Sequence, residues 1–159
     1  MIAVIAVPEP TRNEMSIEDN KRLVRRYYEE IFNTGDVDQI ASFVSPEYVE
    51  VHDHVRHPIG VEGARAHVLG VRAVYRDLAL TIDRQIAEGP WVVSCVTMRG
   101  VHVGGEWQGI KPSGKSIAVA AVNVDKVVEG RIVEHSGAAN LLLPLLMSGA
   151  VRAAEPDDD

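Results

Sequence analysis

The chain has 159 residues, 46% of them hydrophobic, and 23 acidic side chains against 16 basic ones give it a net charge of −7. This length suits one domain with a core of its own. The acidic balance argues against the basic surface that nucleic acid or an anionic membrane would require. A single cysteine, Cys95, excludes an internal disulfide and a cysteine-based zinc site, which fits a protein of the reducing cytoplasm.

The first segment, MIAVIAV, is a short apolar run without a basic stretch before it. We therefore expect neither a signal peptide nor a membrane span there. Residues 1–15 are predicted to form a mobile extension and residues 16–148 one domain. Residues 149–159 are predicted to form a mobile acidic tail, since they contain little to bury.

Apolar residues at helical spacing predict three helices in the first half of the chain. Ser16 can cap the first helix, and Gly35 supplies a left-handed stop after it. The segment VDQIASFV predicts a short second helix that ends before Pro46. The segment VEGARAHVLGVRAVY predicts a third, which Gly70 weakens by about 1 kcal/mol relative to alanine.

From residue 78 onwards the apolar residues alternate, which predicts strands. Three further strand segments follow: WVVSCVTMRGVHV, KSIAVAAVNVDKVV and RIVEHSGAAN. The segment EYVEVH predicts an earlier strand. Helices followed by four long antiparallel strands predict an α+β fold, in which a curved antiparallel sheet wraps around three N-terminal helices and forms a cone.

Small residues in the last two predicted strands indicate that the cone is hollow. These positions are Ala118, Ala120, Ala121, Ser136, Gly137, Ala138 and Ala139. Small side chains that face inward leave a volume that water or a ligand must fill. We therefore favour an interior pocket over a tightly filled core.

Three stretches of the chain resemble the SnoaL-like polyketide cyclase family, which belongs to the cone-shaped α+β superfamily of scytalone dehydratase and nuclear transport factor two. They are YYEEIFNTGDVDQIASFVSPEYVE at 27–50, GVHVGGEWQGIKPSGK at 100–115 and EGRIVEHSGAANLL at 129–142. The resemblance implies a buried pocket, no metal or organic cofactor, and a homodimer formed through the outer face of the sheet. It also implies, in many members, ring closure of a polyketide by intramolecular aldol chemistry.

One departure from the family pattern affects the expected chemistry. In the family, the last strand usually carries an aspartate that acts as general acid and base, four residues after a tryptophan. Asn140 and Ser136 stand at these positions here. An amide cannot take up and return a proton, so Asn140 argues against the usual proton transfer. Ser136 implies a roomier pocket, which suits a long apolar substrate.

Two chemistries for ring closure therefore stay open. A pericyclic [4+2] closure moves no proton, and a hydrogen bond from Asn140 or Asn123 would suffice; the missing carboxylate slightly favours this route. An aldol closure needs a base, which His52, His54 or Asp125 would have to supply.

The segment VEVHDHVRHP, residues 49–58, holds three of the six histidines. As a strand, it would place His52 and His54 on one face and Asp53 on the other. Three interpretations stay open: a solvated loop at the mouth of the cone, a lining of the pocket by His52 or His54 as donor or base, and a metal site. The metal site is the least favoured, because no partner motif supplies a third ligand.

Several other residues are candidates for contact with a substrate: Tyr28, Tyr48, His102, Trp107, Ser136 and Ala138. Trp107 lies in a glycine-rich loop and is expected to act as a lid. Asn123 interrupts an apolar strand and needs a partner if it faces inward, because an unpaired buried amide costs about 1–3 kcal/mol. Only one of Glu134 and His135 can face the interior, and we expect the glutamate at the surface.

Together these features predict a cofactor-independent polyketide cyclase of natural-product biosynthesis, which folds a flexible apolar chain in a buried pocket. Two other classes stay open. An epoxide hydrolase or dehydratase/isomerase on the same fold would draw on Asp83, Arg84, Arg99 or Asp125, whose faces the sequence leaves undetermined. A carrier of hydrophobic ligands would carry out no chemistry.

Overall fold

The structure, a computed structural model, describes residues 16–106, 111–142, 145–146, 149 and 151–152. The predicted extension, most of the predicted acidic tail and Trp107 lie outside these residues. Within the described ranges, no helix combines the length and the hydropathy that crossing a membrane requires.

Three α-helices occupy the N-terminal half, as the sequence predicts. They are α1 (Ile17–Arg26), α2 (Ile40–Phe43) and α3 (Gly60–Val74). Helix α1 begins at Ser16, whose hydroxyl accepts the N–H of Asp19 while the Asp19 carboxylate accepts the Ser16 N–H. This reciprocal cap satisfies two of the amide groups that every helix start leaves free.

Helix α1 continues as a π-helical turn, Tyr27–Phe32, and ends at Gly35. Gly35 has a φ of 76° and donates its N–H to the Ile31 carbonyl. This confirms the predicted left-handed stop. The turn buries Tyr27, Tyr28, Ile31 and Phe32 together, so a wide helical turn presents a dense group of large side chains to the sheet.

Six strands form one curved sheet, β1 (Val44–His52), β2 (Val55–Pro58), β3 (Tyr75–Glu88), β4 (Trp91–His102), β5 (Ser116–Val128) and β6 (Arg131–Ala139). The order across the sheet is β2-β1-β6-β5-β4-β3. Strands β3 to β6 are the four long antiparallel strands of the prediction. The sequence did not predict that β1 would join β6 in parallel. The α+β prediction is confirmed, with a sheet that stays open between β2 and β3.

The helices lie against one face of the sheet and fill part of the cone with apolar side chains. Val24, Ile40, Val44, Val68 and Ile132 are almost fully buried there. The remainder of this interior is not filled, and it forms the cavity described below.

The histidine-rich segment is not one strand. Strand β1 ends at His52, and Asp53 and His54 have positive φ values of 49° and 67°. The chain then reverses, so that Val55 in β2 pairs with His52. A two-residue hairpin turn of this kind requires positive φ at both central residues. The prediction that His52 and His54 share a strand face is therefore wrong.

A candidate active site in the cone

A cavity of about 390 Å³ lies between the helices and the concave face of the sheet. This confirms the predicted hollow interior. Its apolar wall combines aliphatic side chains with five aromatic ones, Tyr27, Tyr28, Phe32, Tyr48 and Tyr75. The volume and the apolar character are those of a site for a small organic ligand.

Small residues on the last two strands make part of this space. Ala121, Gly137, Ala138 and Ala139 line the cavity, whereas Ala118 and Ala120 are exposed and Ser136 is not among the described lining residues. Gly137 lies opposite Asn123 in the sheet. A Cβ atom at position 137 would lie 2.7 Å from the Asn123 Oδ1 atom. The glycine therefore leaves room for the Asn123 side chain.

Three ionisable residues form a row across adjacent strands of this wall. His135 in β6 pairs with Asp125 in β5 on one side and with Glu50 in β1 on the other. We call Glu50, His135 and Asp125 the polar row. Asp125 is 1% exposed and Glu50 is 6% exposed. Carboxyl groups at this depth need partners, because burial without them strongly disfavours a charge.

The first part of the polar row is a buried aspartate–histidine pair. The Nδ1 atom of His135 lies 2.8 Å from Oδ1 of Asp125. The Tyr28 hydroxyl donates to Oδ2 of Asp125 at 3.0 Å, and the Asn123 side-chain amide donates to the Tyr28 oxygen at 3.1 Å. With Nδ1 directed at the carboxylate, Nε2 is the ring nitrogen left for a substrate.

The surroundings make His135 a stronger base than an ordinary histidine. Burial lowers its pKa, but attraction to Asp125, the hydrogen bond to Asp125 and attraction to Glu50 together raise the pKa above the usual 6.5. Burial and the charge of Asp125 raise the pKa of Tyr28 well above 10. The Tyr28 hydroxyl thus keeps its proton and acts as a donor.

The second part of the polar row is Glu50 with two histidines. The His67 Nδ1 atom lies 2.9 Å from Oε1 of Glu50, and the His52 Nε2 atom lies 3.1 Å from Oε2. The Tyr48 hydroxyl donates to Oε1 over 3.5 Å. Burial raises the pKa of Glu50, but the hydrogen bonds and charges of His67, His52 and His135 outweigh it and lower the pKa to about 2. Glu50 is therefore ionised at neutral pH and only accepts hydrogen bonds.

Five of the residues proposed from the sequence line the cavity. They are His52, Asn123, Tyr28, Tyr48 and Ala138. Asn123 has the partner that an inward amide requires, since it donates to Tyr28. His52 lies at the rim, with 56% of its side chain exposed.

The other proposed residues lie elsewhere or are not described. Asn140 is exposed after the end of β6, where its backbone N–H donates to the Ala120 carbonyl. His54 is exposed in the β1–β2 turn. His102 is buried against the ring of Tyr75, outside the described lining, and its Nε2 lies 3.2 Å from the Gly105 carbonyl oxygen. Ser136 also lies outside the lining, and Trp107 is not among the described residues.

Sequence reasoning did not include Glu50, His67 or His135 among the site residues, and it named Asp125 only as a substitute base for ring closure and as one of four candidates for hydrolase or isomerase chemistry. The register across the β5–β6 hairpin explains why the Asp125–His135 pair was missed. Near the turn, Val127 pairs with Ile132, but a shift between Lys126 and Val127 then brings Asp125 opposite His135. Without that irregularity, Asp125 would pair with Glu134. No signal in the sequence marks the position of the register shift.

Of the four residues considered for hydrolase or isomerase chemistry, three are exposed and one is buried. Asp83, Arg84 and Arg99 are exposed, and Asp83 accepts a hydrogen bond from Thr97. Asp125 alone of these four is buried beside the cavity wall. Among the described residues, no group of three or more His, Cys, Asp or Glu side chains is arranged to hold a metal ion.

A curved sheet closed by helices over an apolar cavity, with buried ionisable pairs in its wall, defines a cone-shaped α+β pocket protein. More narrowly, a sequence model of the SnoaL-like polyketide cyclases matches residues 22–145, and the chain belongs to this family. The resemblance found in the sequence is thereby confirmed.

Curated relatives of this chain are named as cyclases. The chain is 30% identical over 107 residues to nogalonic acid methyl ester cyclase of Streptomyces nogalater, across 65% of this chain and 78% of the relative. It is 29% identical over 116 residues to aklanonic acid methyl ester cyclase DnrD of Streptomyces peucetius, across 71% of this chain and 79% of the relative.

Solved structures show the same architecture. TsrD from Streptomyces laurentii superposes with a TM-score of 0.75 at 27% identity, across 87% of this chain and all of that one. A SnoaL-like protein from Jannaschia superposes with a TM-score of 0.74 across 92% of this chain and all of that one, and at 21% identity it shows the fold alone.

Proposed function

We propose that this protein is an enzyme of natural-product biosynthesis that closes a ring in an apolar, polyketide-like chain held inside the cone. The observation that carries the proposal is the buried Asp125–His135 pair in the wall of a largely apolar cavity of about 390 Å³. The cyclase names of the relatives support the reaction class.

The reaction that fits this pair is an intramolecular aldol closure. The cavity holds the chain bent, so that a carbon next to one carbonyl lies near a second carbonyl carbon. Nε2 of His135 removes a proton from the first carbon, and the resulting enolate forms a carbon–carbon bond to the second. The second carbonyl oxygen then takes a proton and becomes a hydroxyl group.

The polar row supports this proton transfer electrostatically. Once His135 has taken the proton, its imidazolium lies between Asp125 and Glu50, both carried by neighbouring strands. Two buried carboxylates beside one cation stabilise it more than water-exposed carboxylates would. Because substrate and product are isomers, the reaction needs no external oxidant or reductant, in keeping with a cyclase that works without a cofactor.

The pericyclic alternative loses the reason that favoured it. That reason was the amide at position 140 in place of a carboxylate, but Glu50 of β1 lines the cavity, and Asp125 of β5 is buried in contact with the lining residue His135. A pericyclic closure would run at a rate that does not depend on the protonation of His135. The pH dependence of ring closure therefore separates the two routes.

The proposal is tested with the esters for which the relatives are named. Purified protein is incubated with aklanonic acid methyl ester or nogalonic acid methyl ester, and the isomeric product is followed by chromatography and mass spectrometry from pH 5 to 9. We expect ring closure that falls at low pH with a midpoint above 6.5. Binding of both esters without conversion of either would indicate a carrier and contradict the proposal, whereas conversion at a rate independent of pH would support the pericyclic route.

We further propose that two copies associate through the outer face of the sheet. Ile86, Val93 and Val124 form one row across β3, β4 and β5, and Val122 lies beside them in β5. Ile86 and Val122, at either end of this group, are 59% and 42% exposed, so large apolar side chains on this face contact solvent. Sedimentation should show a dimer that Val122→Asp weakens, and a wild-type monomer at high micromolar concentration would contradict this assignment.

A further inference from the structure

The cavity contains a second carboxylate–histidine pair, Glu50 and His67, and the reaction described above leaves its histidine unused. We propose that His67, held by Glu50, donates the proton to the carbonyl oxygen during ring closure, while His135 removes the proton from carbon. This inference rests on the proposed function and assigns a further catalytic residue to it.

The geometry of the second pair repeats that of the first. Nδ1 of His67 lies 2.9 Å from Oε1 and 3.1 Å from Oε2 of Glu50. Since Glu50 is an ionised acceptor, Nδ1 carries the hydrogen. Among the described residues, no hydrogen bond involves Nε2 of His67. Both His67 and His135 line the cavity, and in each ring Nε2 is the nitrogen that is not directed at a carboxylate.

The two imidazoles come from different elements of the fold. His67 is carried by α3 and His135 by β6, and Glu50 in β1 contacts the first and is the strand neighbour of the second. An aldol closure transfers protons at two separate atoms, a carbon and a carbonyl oxygen. Two fixed imidazoles serve these atoms without the movement that a single shuttling residue would need.

The ring of His67 lies beside a buried carboxylate. Glu50 of β1 contacts His67 directly, His52 and Tyr48 of the same strand contact Glu50 in turn, and Tyr75 of β3 lines the same cavity. Of these groups, Glu50 carries a negative charge, and its carboxylate holds Nδ1 of the ring that we propose as the proton donor. After each turnover, the proton gained by His135 leaves to solvent and His67 takes up another, so protons balance.

The contrasting view is that His67 only fastens α3 to β1 through Glu50. The variant His67→Asn separates the two views, because the asparagine amide can still donate to Glu50 from the Nδ1 position but has no Nε2. His67→Gln is the second variant, in case the first does not fold. His57→Asn is the matched control, since His57 is exposed in β2 and outside the cavity lining.

The measurement uses aklanonic acid methyl ester in deuterated water, with two readouts. Ring closure is followed by chromatography, and deuterium in recovered substrate is followed by mass spectrometry. For His67→Asn we expect ring closure to fall about 100-fold or more, while deuterium still enters the substrate because His135 still forms the enolate. His135→Asn should lose both ring closure and deuterium entry. His57→Asn should close the ring at a rate within about threefold of the wild type.

Two results would overturn the inference while leaving the proposed function in place. One is a wild-type rate of ring closure in folded His67→Asn. The other is loss of deuterium entry in step with ring closure, since His67 would then act before or at enolate formation. A wild-type protein that neither closes the ring nor exchanges deuterium would instead overturn the proposed function, and this inference with it.

Discussion

The histidine-rich segment at residues 52–57 and the β5–β6 hairpin differ in the burial and the partners of their ionisable side chains. The first holds three histidines, of which His54 and His57 are exposed and His52 alone reaches the cavity. The hairpin holds a single histidine, His135, which is bound to Asp125 in the cavity wall. The density of histidines along the chain is thus a poor guide to where proton transfer occurs.

Burial with a partner is what distinguishes the two regions. In water, a charge beside an imidazole is screened and changes its pKa little. In the hairpin, Asp125 is almost fully buried and its attraction to His135 acts through a medium of low dielectric constant. Substitutions in the hairpin should therefore change activity and stability more than substitutions in the histidine-rich segment.

The largest difference is expected between His135→Gln and His54→Gln. Loss of the proposed base should lower kcat about 100- to 10,000-fold, as is usual for general bases. His54→Gln should leave kcat within about threefold of the wild type, because His54 lies in an exposed turn. Steady-state assays with aklanonic acid methyl ester measure kcat for both variants. An equal loss of kcat in the two would contradict the proposed difference between the hairpin and the histidine-rich segment.

Stability at acid pH should depend on Glu50. Its pKa is about 2 in the folded protein, below the ordinary 4.5, so its contribution is complete above pH 4.5 and is lost as the pH falls towards 2. That difference corresponds to about 3 kcal/mol of unfolding free energy.

Urea unfolding of Glu50→Gln at pH 6 and pH 3 checks this dependence. The destabilisation relative to the wild type should be clear at pH 6 and smaller at pH 3. Glu47→Gln is the control, because Glu47 is exposed on the same strand. A destabilisation by Glu50→Gln that is the same at both pH values would count against the assigned pKa.

The pH profile of catalysis should depend on Asp125. His135 must be neutral to accept a proton, so activity falls as the pH drops below its pKa, which Asp125 helps to raise above 6.5. In Asp125→Asn the midpoint of this fall should move to lower pH, and the maximal rate should drop at least about tenfold as the ring loses its fixed orientation.

The control for this variant is Asp83→Asn, since Asp83 is exposed on β3 and bonded to Thr97. Profiles of kcat/KM against pH are compared for the wild type, Asp125→Asn and Asp83→Asn. An unchanged midpoint in Asp125→Asn would show that His135 is not the titrating base.

A smaller effect is expected on removal of the Tyr28 hydroxyl. Tyr28→Phe takes one donor from Asp125 and one acceptor from Asn123, which should lower the unfolding free energy by about 1–3 kcal/mol. Tyr27→Phe should change it by less than about 0.5 kcal/mol, because no hydrogen bond to the Tyr27 hydroxyl is found among the described residues. Thermal and urea unfolding compare the two variants. If both lost the same unfolding free energy, the hydrogen bond from Tyr28 to Asp125 would not contribute to stability.

The local elements of this fold follow from the sequence. The cap at Ser16, the stop at Gly35 and the alternation that begins at residue 78 are properties of neighbouring residues, and each is found in the structure. The small residues of β5 and β6 correctly indicated a hollow interior. Contacts between residues close in the chain decide these features, so they can be read without the rest of the molecule.

Which ionisable groups meet depends on how distant segments of the chain pack together. The parallel pairing of β1 with β6 places Glu50 beside His135, and a register shift in the β5–β6 hairpin turns Asp125 towards His135. Helix α3 then brings His67 onto Glu50 across 17 positions of the chain. Such contacts depend on how distant segments pack, and one shifted residue reverses which side chains face the cavity, so the sequence alone does not specify them.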